Sequence, residues 1–235
     1  MTRVLVPVEI LEGESVSYGL MNLLGTMDVT VLGYHVLPEQ TPADQAREQF
    51  EERAVSALDD LAQEFREAGG DAESRLVFTH DREQTVDRVA DDVDAHAYAI
   101  TGATGDVGRL LVPLAGDVAV DRVLDFVTEL VGDRDITVTL FLASEADGAE
   151  ALLDEAADRL GEAGITTETD LVVSDRPFEA LVEAVPGHDA IVIGEKAPSL
   201  STFLRGDEAE RLASASVGPV LVVRSGRTVS ESLGE

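Results

Sequence analysis

The chain of 235 residues has no cysteine and no tryptophan, and only 4% of it is aromatic. Without cysteine there is no disulfide framework, no thiolate metal site and no thiol nucleophile. No apolar run approaches the roughly 18 residues needed to cross a bilayer. Met1 leads straight into a strand-like segment, with no signal peptide ahead of it. A soluble, cytoplasmic chain is therefore expected. Positive charge is also scarce: 17 Lys and Arg stand against 47 Asp and Glu, for a net charge of −30, and Lys196 is the single lysine. A surface this acidic repels phosphate backbones and anionic headgroups, which argues against nucleic acid and membrane insertion alike. The acids are spread along the whole chain, so salt adaptation accounts for them better than a local acidic binding patch does. Self-repulsion strains a compact state in dilute buffer. Molar salt shrinks the Debye length to about 3 Å and removes most of that strain. A halophile's cytoplasm is the expected setting.

What the chain does have is aliphatic. Apolar residues make up 44% of it, enough for a core and too many for a disordered chain. Short β-branched runs alternate with longer Ala, Glu and Asp-rich stretches, which calls for a parallel sheet covered by helices. Strands are expected at 3–8 (RVLVPV), 29–37, 76–79 and 97–101. Apolar residues at spacings of three and four predict helices at 15–24, 42–68 and 83–93. The longest should stop at Gly69-Gly70. The same order then starts again: RLLVPL at 109–114 repeats RVLVPV, and ITVTLFLA at 136–143 repeats VTVLGYHV. Two further matches follow, GEAGITTETDLVV with REAGGDAESRLVF, and HDAIVIGE with HAYAITGA. Four matches in one order signal an internal duplication. The second copy continues through a helix candidate at 200–217 to a fifth strand at 219–223 (PVLVV), for which the first has no room. The expected divisions are a truncated unit at 1–107, a complete one at 108–225 and a disordered polar tail at 226–235.

A unit that opens with VLVPV, ends its second strand in His-Val and its fourth in Gly, and closes with PVLVV resembles the universal stress protein family. The resemblance covers nearly the whole chain as a tandem pair. It implies an α/β, Rossmann-like fold of two parallel-sheet units with strand order 3-2-1-4-5, the first lacking its last helix and strand. Ligands of such sheets sit at the carboxyl ends of the strands. Some members bind ATP there, with an Asp just after strand 1 meeting the adenine. This sequence has Glu9, two residues after Pro7, in the first copy and Ala115 in the second. Val36, after His35, stands where the family meets adenine with main-chain groups, whereas the second copy has Leu142-Ala143. The family's phosphate loop runs G-x2-G-x9-G and then Ser or Thr, its glycines letting the backbone approach the phosphates. Gly194 matches its first position, but Ala197 takes the second and Asp207 the third, with Gly206 one residue early and Lys196 as the nearby cation. Gly102 and Gly105 satisfy the opening half of the loop in the first copy, after which the chain enters the second copy.

Neither copy is complete, so the expected function is a universal-stress-type regulatory or binding module with a degenerate nucleotide crevice and no catalysis. The alternatives are an ATP-binding member with slow hydrolysis, which would make ATP the cofactor, and a soluble accessory of a membrane transporter. In the family, fifth strands of two units commonly pair across a dimer. The strand at 219–223 is therefore expected either to form a homodimer or to cover the open edge of the first copy's fourth strand.

Other motifs are read as structural. His96 and His188 precede the fourth strands as duplicated copies, and no two of the four histidines (His35 and His80 being the others) lie at a helical i, i+4 spacing, so no metal site is expected. The clusters Asp91, Asp92, Asp94 and Asp147, Glu150, Asp154 read as solvated faces. The run GATGDVG from Gly102 leads into a strand and not a helix, which excludes a dinucleotide loop. There is no G-x-S-x-G elbow and no DxDxDG loop, and no catalytic residue is assigned.

Overall fold

A computed structural model describes residues 2–114, 120–195 and 218–225. The helix expected at 200–217 and the tail at 226–235 lie outside these residues, as do Ala115, Lys196, Ala197, Gly206 and Asp207. The chain begins β1 (Arg3–Glu9), α1 (Tyr18–Leu23), β2 (Asp28–Val36), α2 (Ala43–Glu67), β3 (Asp71–Thr79), α3 (Arg82–Asp92) and β4 (Ala97–Ile100). It continues β5 (Arg109–Pro113), α4 (Val120–Val131), β6 (Thr137–Ala143), α5 (Ala149–Glu162), β7 (Thr167–Val172), α6 (Pro177–Ala184), β8 (Ala190–Gly194) and β9 (Val220–Val223).

The elements expected within the described residues are present, with one marked difference in length. β3 starts at Asp71, five residues before the apolar run that announced it at 76. Its opening DAESR is polar because it lies at the rim of the sheet, where apolar side chains are not required. The second half supplies the matching edge, β7, whose Glu168 and Asp170 are exposed. Charges on both outermost strands discourage another chain from adding to the sheet.

The two strand sets do not form separate sheets. They join in one nine-stranded sheet, in the order β3-β2-β1-β4-β9-β8-β5-β6-β7. Read inward from the two ends, β3-β2-β1-β4 and β7-β6-β5-β8 have the same parallel order. β9 fills the place between them. It runs parallel to β8, pairing Val192 with Leu221, and antiparallel to β4, pairing Ala99 with the same Leu221.

This corrects the expectation of a homodimer through residues 219–223. Both edges of β9 are hydrogen-bonded within the chain, so its ladder has nothing left to offer a second copy. The other expectation, that this strand covers the open edge of β4, is what the structure has. The reason is the missing fifth strand of the first half, which leaves β4 in need of a partner.

The core follows from this continuous sheet. On one face α1, α2, α4 and α5 pack over a single cluster running from Val4, Val6 and Val8 through Leu110 and Val112 to Leu221 and Val223. On the other face α3 covers Leu5 and Leu32, and α6 covers Leu111, Ile191, Val220 and Val222. β9 thus alternates its four apolar side chains between two cores, each burial contributing about 1.5–3 kcal/mol. Polar clasps reinforce the junction. Arg134 donates to the carbonyls of Asn22 (2.9 Å) and Leu23 (3.0 Å), satisfying the end of α1 from the other half. Burial holds the Arg134 guanidinium below its ordinary pKa. Arg224 donates to Asp91 at 2.7 Å, and its main-chain N–H donates to the His96 carbonyl at 2.8 Å. Asp91 is therefore a partner in the junction and not part of a solvated acidic face.

Candidate functional site

Where β1, β2 and β4 end, their carboxyl termini bring together residues far apart in sequence. Glu9 closes β1 and is level with Tyr34 of β2. The Ile10 N–H donates to the Tyr34 carbonyl (3.2 Å), so the chain stays against β2 as it leaves the sheet. It then turns sharply: the Glu12 N–H donates back to the Glu9 carbonyl (3.2 Å), and Gly13 takes φ +77°, a conformation that glycine adopts without penalty. The turn delivers Glu14 back toward the strand. Its carboxylate accepts the Glu9 N–H at 2.6 Å and the hydroxyl of Thr101, just past β4. Glu14 thereby pins the loop that carries Glu9 and Glu12 to the sheet.

One carboxylate oxygen of Glu9, one of Glu12 and one ring nitrogen of His35 lie within 4.8 Å of one another. The His35 ring is held edge-on by Phe50 of α2 and Phe78 of β3, with centroids 6.0 and 6.2 Å away. Its Nδ1 is shut off from solvent and has no hydrogen-bond partner among the described residues. Arg82, at the start of α3, lies over the Tyr34 ring at 5.5 Å. Burial pushes the Tyr34 hydroxyl up in pKa; Arg82 opposes this, and Glu14 and Glu9 add to it. The site is thus rich in carboxylates, with one cation set against a tyrosine.

The sequence candidates divide between two ends of the sheet. Pro7 is buried inside β1, level with Leu32, and Glu9, Val36, Gly102 and Gly105 lie at or beyond the carboxyl ends of β1, β2 and β4. Gly194 closes β8 and pairs with Val223, which pairs in turn with Ala97 at the amino end of β4. Because β9 is antiparallel to β4, Gly194 sits at the opposite edge of the sheet from Glu9. The structure therefore does not bring the two partial motifs together.

Gly102 has a packing role that the loop spacing did not reveal. A Cβ on Gly102 would lie 2.5 Å from the carbonyl of Gly218 and 2.8 Å from the Pro219 nitrogen, where the chain enters β9. The Gly105 carbonyl packs against Gly19 of α1, where a Cβ would lie only 1.7 Å from it. Sequence reasoning missed Glu12, Glu14 and Thr101, and gave His35 no role of its own. A run of three glutamates in six residues after a strand was a visible signal, but its convergence on His35 depends on strand register. His96 and His188 are held in hydrogen bonds within the fold. His96 Nδ1 accepts the Arg3 N–H (3.3 Å), and the ring nitrogens of His188 lie 2.9 Å from the Thr139 hydroxyl and 3.0 Å from the Ala184 carbonyl. Asp147, Glu150 and Asp154 are exposed.

A mostly parallel sheet with helices on both faces and a polar cluster at strand carboxyl ends defines the class of doubly wound α/β proteins, whose ligand crevices lie at those ends. Within that class, the fold is that of universal stress proteins. A universal stress protein from Archaeoglobus fulgidus DSM 4304 superposes with a TM-score of 0.70 at 17% identity, covering 95% of this chain and 96% of that one. A putative universal stress protein from Pseudomonas aeruginosa UCBPP-PA14 gives 0.51 at 16% identity, covering 95% and 93%. A shorter universal stress protein, in complex with cAMP, matches 51% of this chain over 98% of its own length, at 26% identity and a TM-score of 0.42. No protein-family model matches the sequence, and no curated protein is significantly similar to it. Among the described residues, no helix is long and apolar enough to cross a membrane.

Proposed function

We propose that this chain is a tandem universal-stress-type module that binds or regulates without catalysis, in the cytoplasm of a salt-adapted organism. The observation that carries this reading is what surrounds the first half's crevice. The residues that would cradle a nucleotide's phosphates, Gly102 and Gly105, are engaged in backbone packing against β9 and α1. Three carboxylates, Glu9, Glu12 and Glu14, occupy the adjoining loop, and negative charge there repels a polyphosphate. The other half-motif, at Gly194, lies across the sheet and contributes nothing to the same crevice. The equivalent order of strands in the two halves, and the matched sequence segments, support an origin by duplication.

Titration of labelled ATP into the full chain in molar KCl tests the reading. No saturable binding is expected. Saturable binding that is abolished by Gly194→Asp or Glu9→Lys would instead support an ATP-binding member.

A further inference from the structure

We propose that Glu9, Glu12 and His35 form a binding site for one divalent transition-metal ion. This deepens the reading of the crevice as a non-nucleotide site. Two carboxylates and an imidazole are ligand types that divalent ions such as Mn²⁺, Co²⁺ and Zn²⁺ accept, and three protein ligands leave positions open for water or a ligand. The donors are spaced within 4.8 Å. Metal–nitrogen and metal–oxygen bonds of about 2.0–2.2 Å place two ligands of one ion roughly 3–4 Å apart. Small rotations of the exposed Glu12 side chain close that gap.

A carboxylate cluster alone would say little in a protein of net charge −30. The independent pointer is His35. Its Nδ1 is buried without a partner, and buried polar atoms are rarely left so. A bound ion is one partner that would satisfy the ring, and the ring is already clamped between Phe50 and Phe78. Charge agrees with this. Among the described residues, neither Glu9 nor Glu12 is paired with an arginine. Glu14, by accepting from the Glu9 N–H and from Thr101, holds the Glu9 to Glu12 turn in place and acts as a positioning residue. The second half cannot repeat the site: Ala115 stands at the position of Glu9, and Leu142 at that of His35. One such site among the described residues follows.

The test is titration of the EDTA-treated, dialysed full chain with cobalt(II) chloride in molar KCl, without nucleotide, read by calorimetry and by the cobalt visible absorption. One saturable equivalent with an induced absorption band is expected. His35→Gln should abolish the band, and Glu12→Gln should weaken binding tenfold or more; Glu12 is exposed, so that variant keeps its fold. Asp147→Asn, in a remote exposed acidic cluster, should change nothing. Several weak equivalents, lowered equally by all three variants or by none, would overturn the site. Since the ATP titration is run without metal and this one without nucleotide, failure of either is seen separately from failure of the other.

Discussion

Gly102 and Gly105 share a motif but stand in different surroundings. A methyl group on Gly102 meets the backbone of Gly218 and Pro219 at 2.5–2.8 Å, and backbone cannot rotate aside. Gly102→Ala should cost about 1–3 kcal/mol, the usual penalty of overpacking. A Cβ on Gly105 meets nothing within 4 Å, so Gly105→Ala should stay within about 0.5 kcal/mol of the parent, as surface substitutions do. Thermal melts of both variants in molar KCl check this. A phosphate loop would need both glycines, whereas the packing account needs Gly102 far more. Equal melting temperatures for the two variants would refute that account.

Among the elements, β9 has the largest consequences for its length. Four residues provide the ladder on both sides and place side chains in the cores of both faces. Leu221→Pro removes a ladder donor from a strand with no free edge, which proline does not tolerate. The expected result is loss of cooperative unfolding in molar KCl, or a melting temperature lowered by more than the 0.5–3 kcal/mol of an ordinary substitution implies. A monomer that melts like the parent would mean that β9 is not central. The apolar run at 219–223 was legible as a strand and the family order put it beside β8, but the sequence left its other neighbour open between a second copy and β4. Periodicity reports which faces of a strand are buried, and says nothing of which strand lies beside it. For the same reason the polar opening of β3 went unseen: an edge strand needs no apolar alternation.

For the whole molecule, charge sets the conditions of stability. The net charge is −30, and seven salt bridges form among the described residues, so acidic groups far outnumber the cations available to pair with them. At about 0.1 M salt the Debye length grows to roughly 10 Å, and repulsion among them acts between neighbouring elements. Dialysis from molar KCl to that buffer should loosen or unfold the protein. Circular dichroism melts in the two buffers measure it, and identical curves would rule out salt adaptation as the meaning of the acidic surface.

Local signals in the sequence determined the alternation of strands and helices, the aliphatic core, the repeated strand order and the acidic surface. Each of these depends on residues near in sequence or on composition, and so can be read along the chain. Tertiary structure alone decided three things. It chose β4 over a second copy as the other neighbour of β9 and so joined the two halves into one sheet, because an open β4 edge and a free β9 edge could satisfy each other's backbone groups. It sent Gly194 and Glu9 to opposite ends of that sheet, because the joining strand runs antiparallel to β4. And it set Glu9, Glu12 and His35 within 4.8 Å of one another, because a parallel pairing and a tight turn close a separation that no local pattern measures.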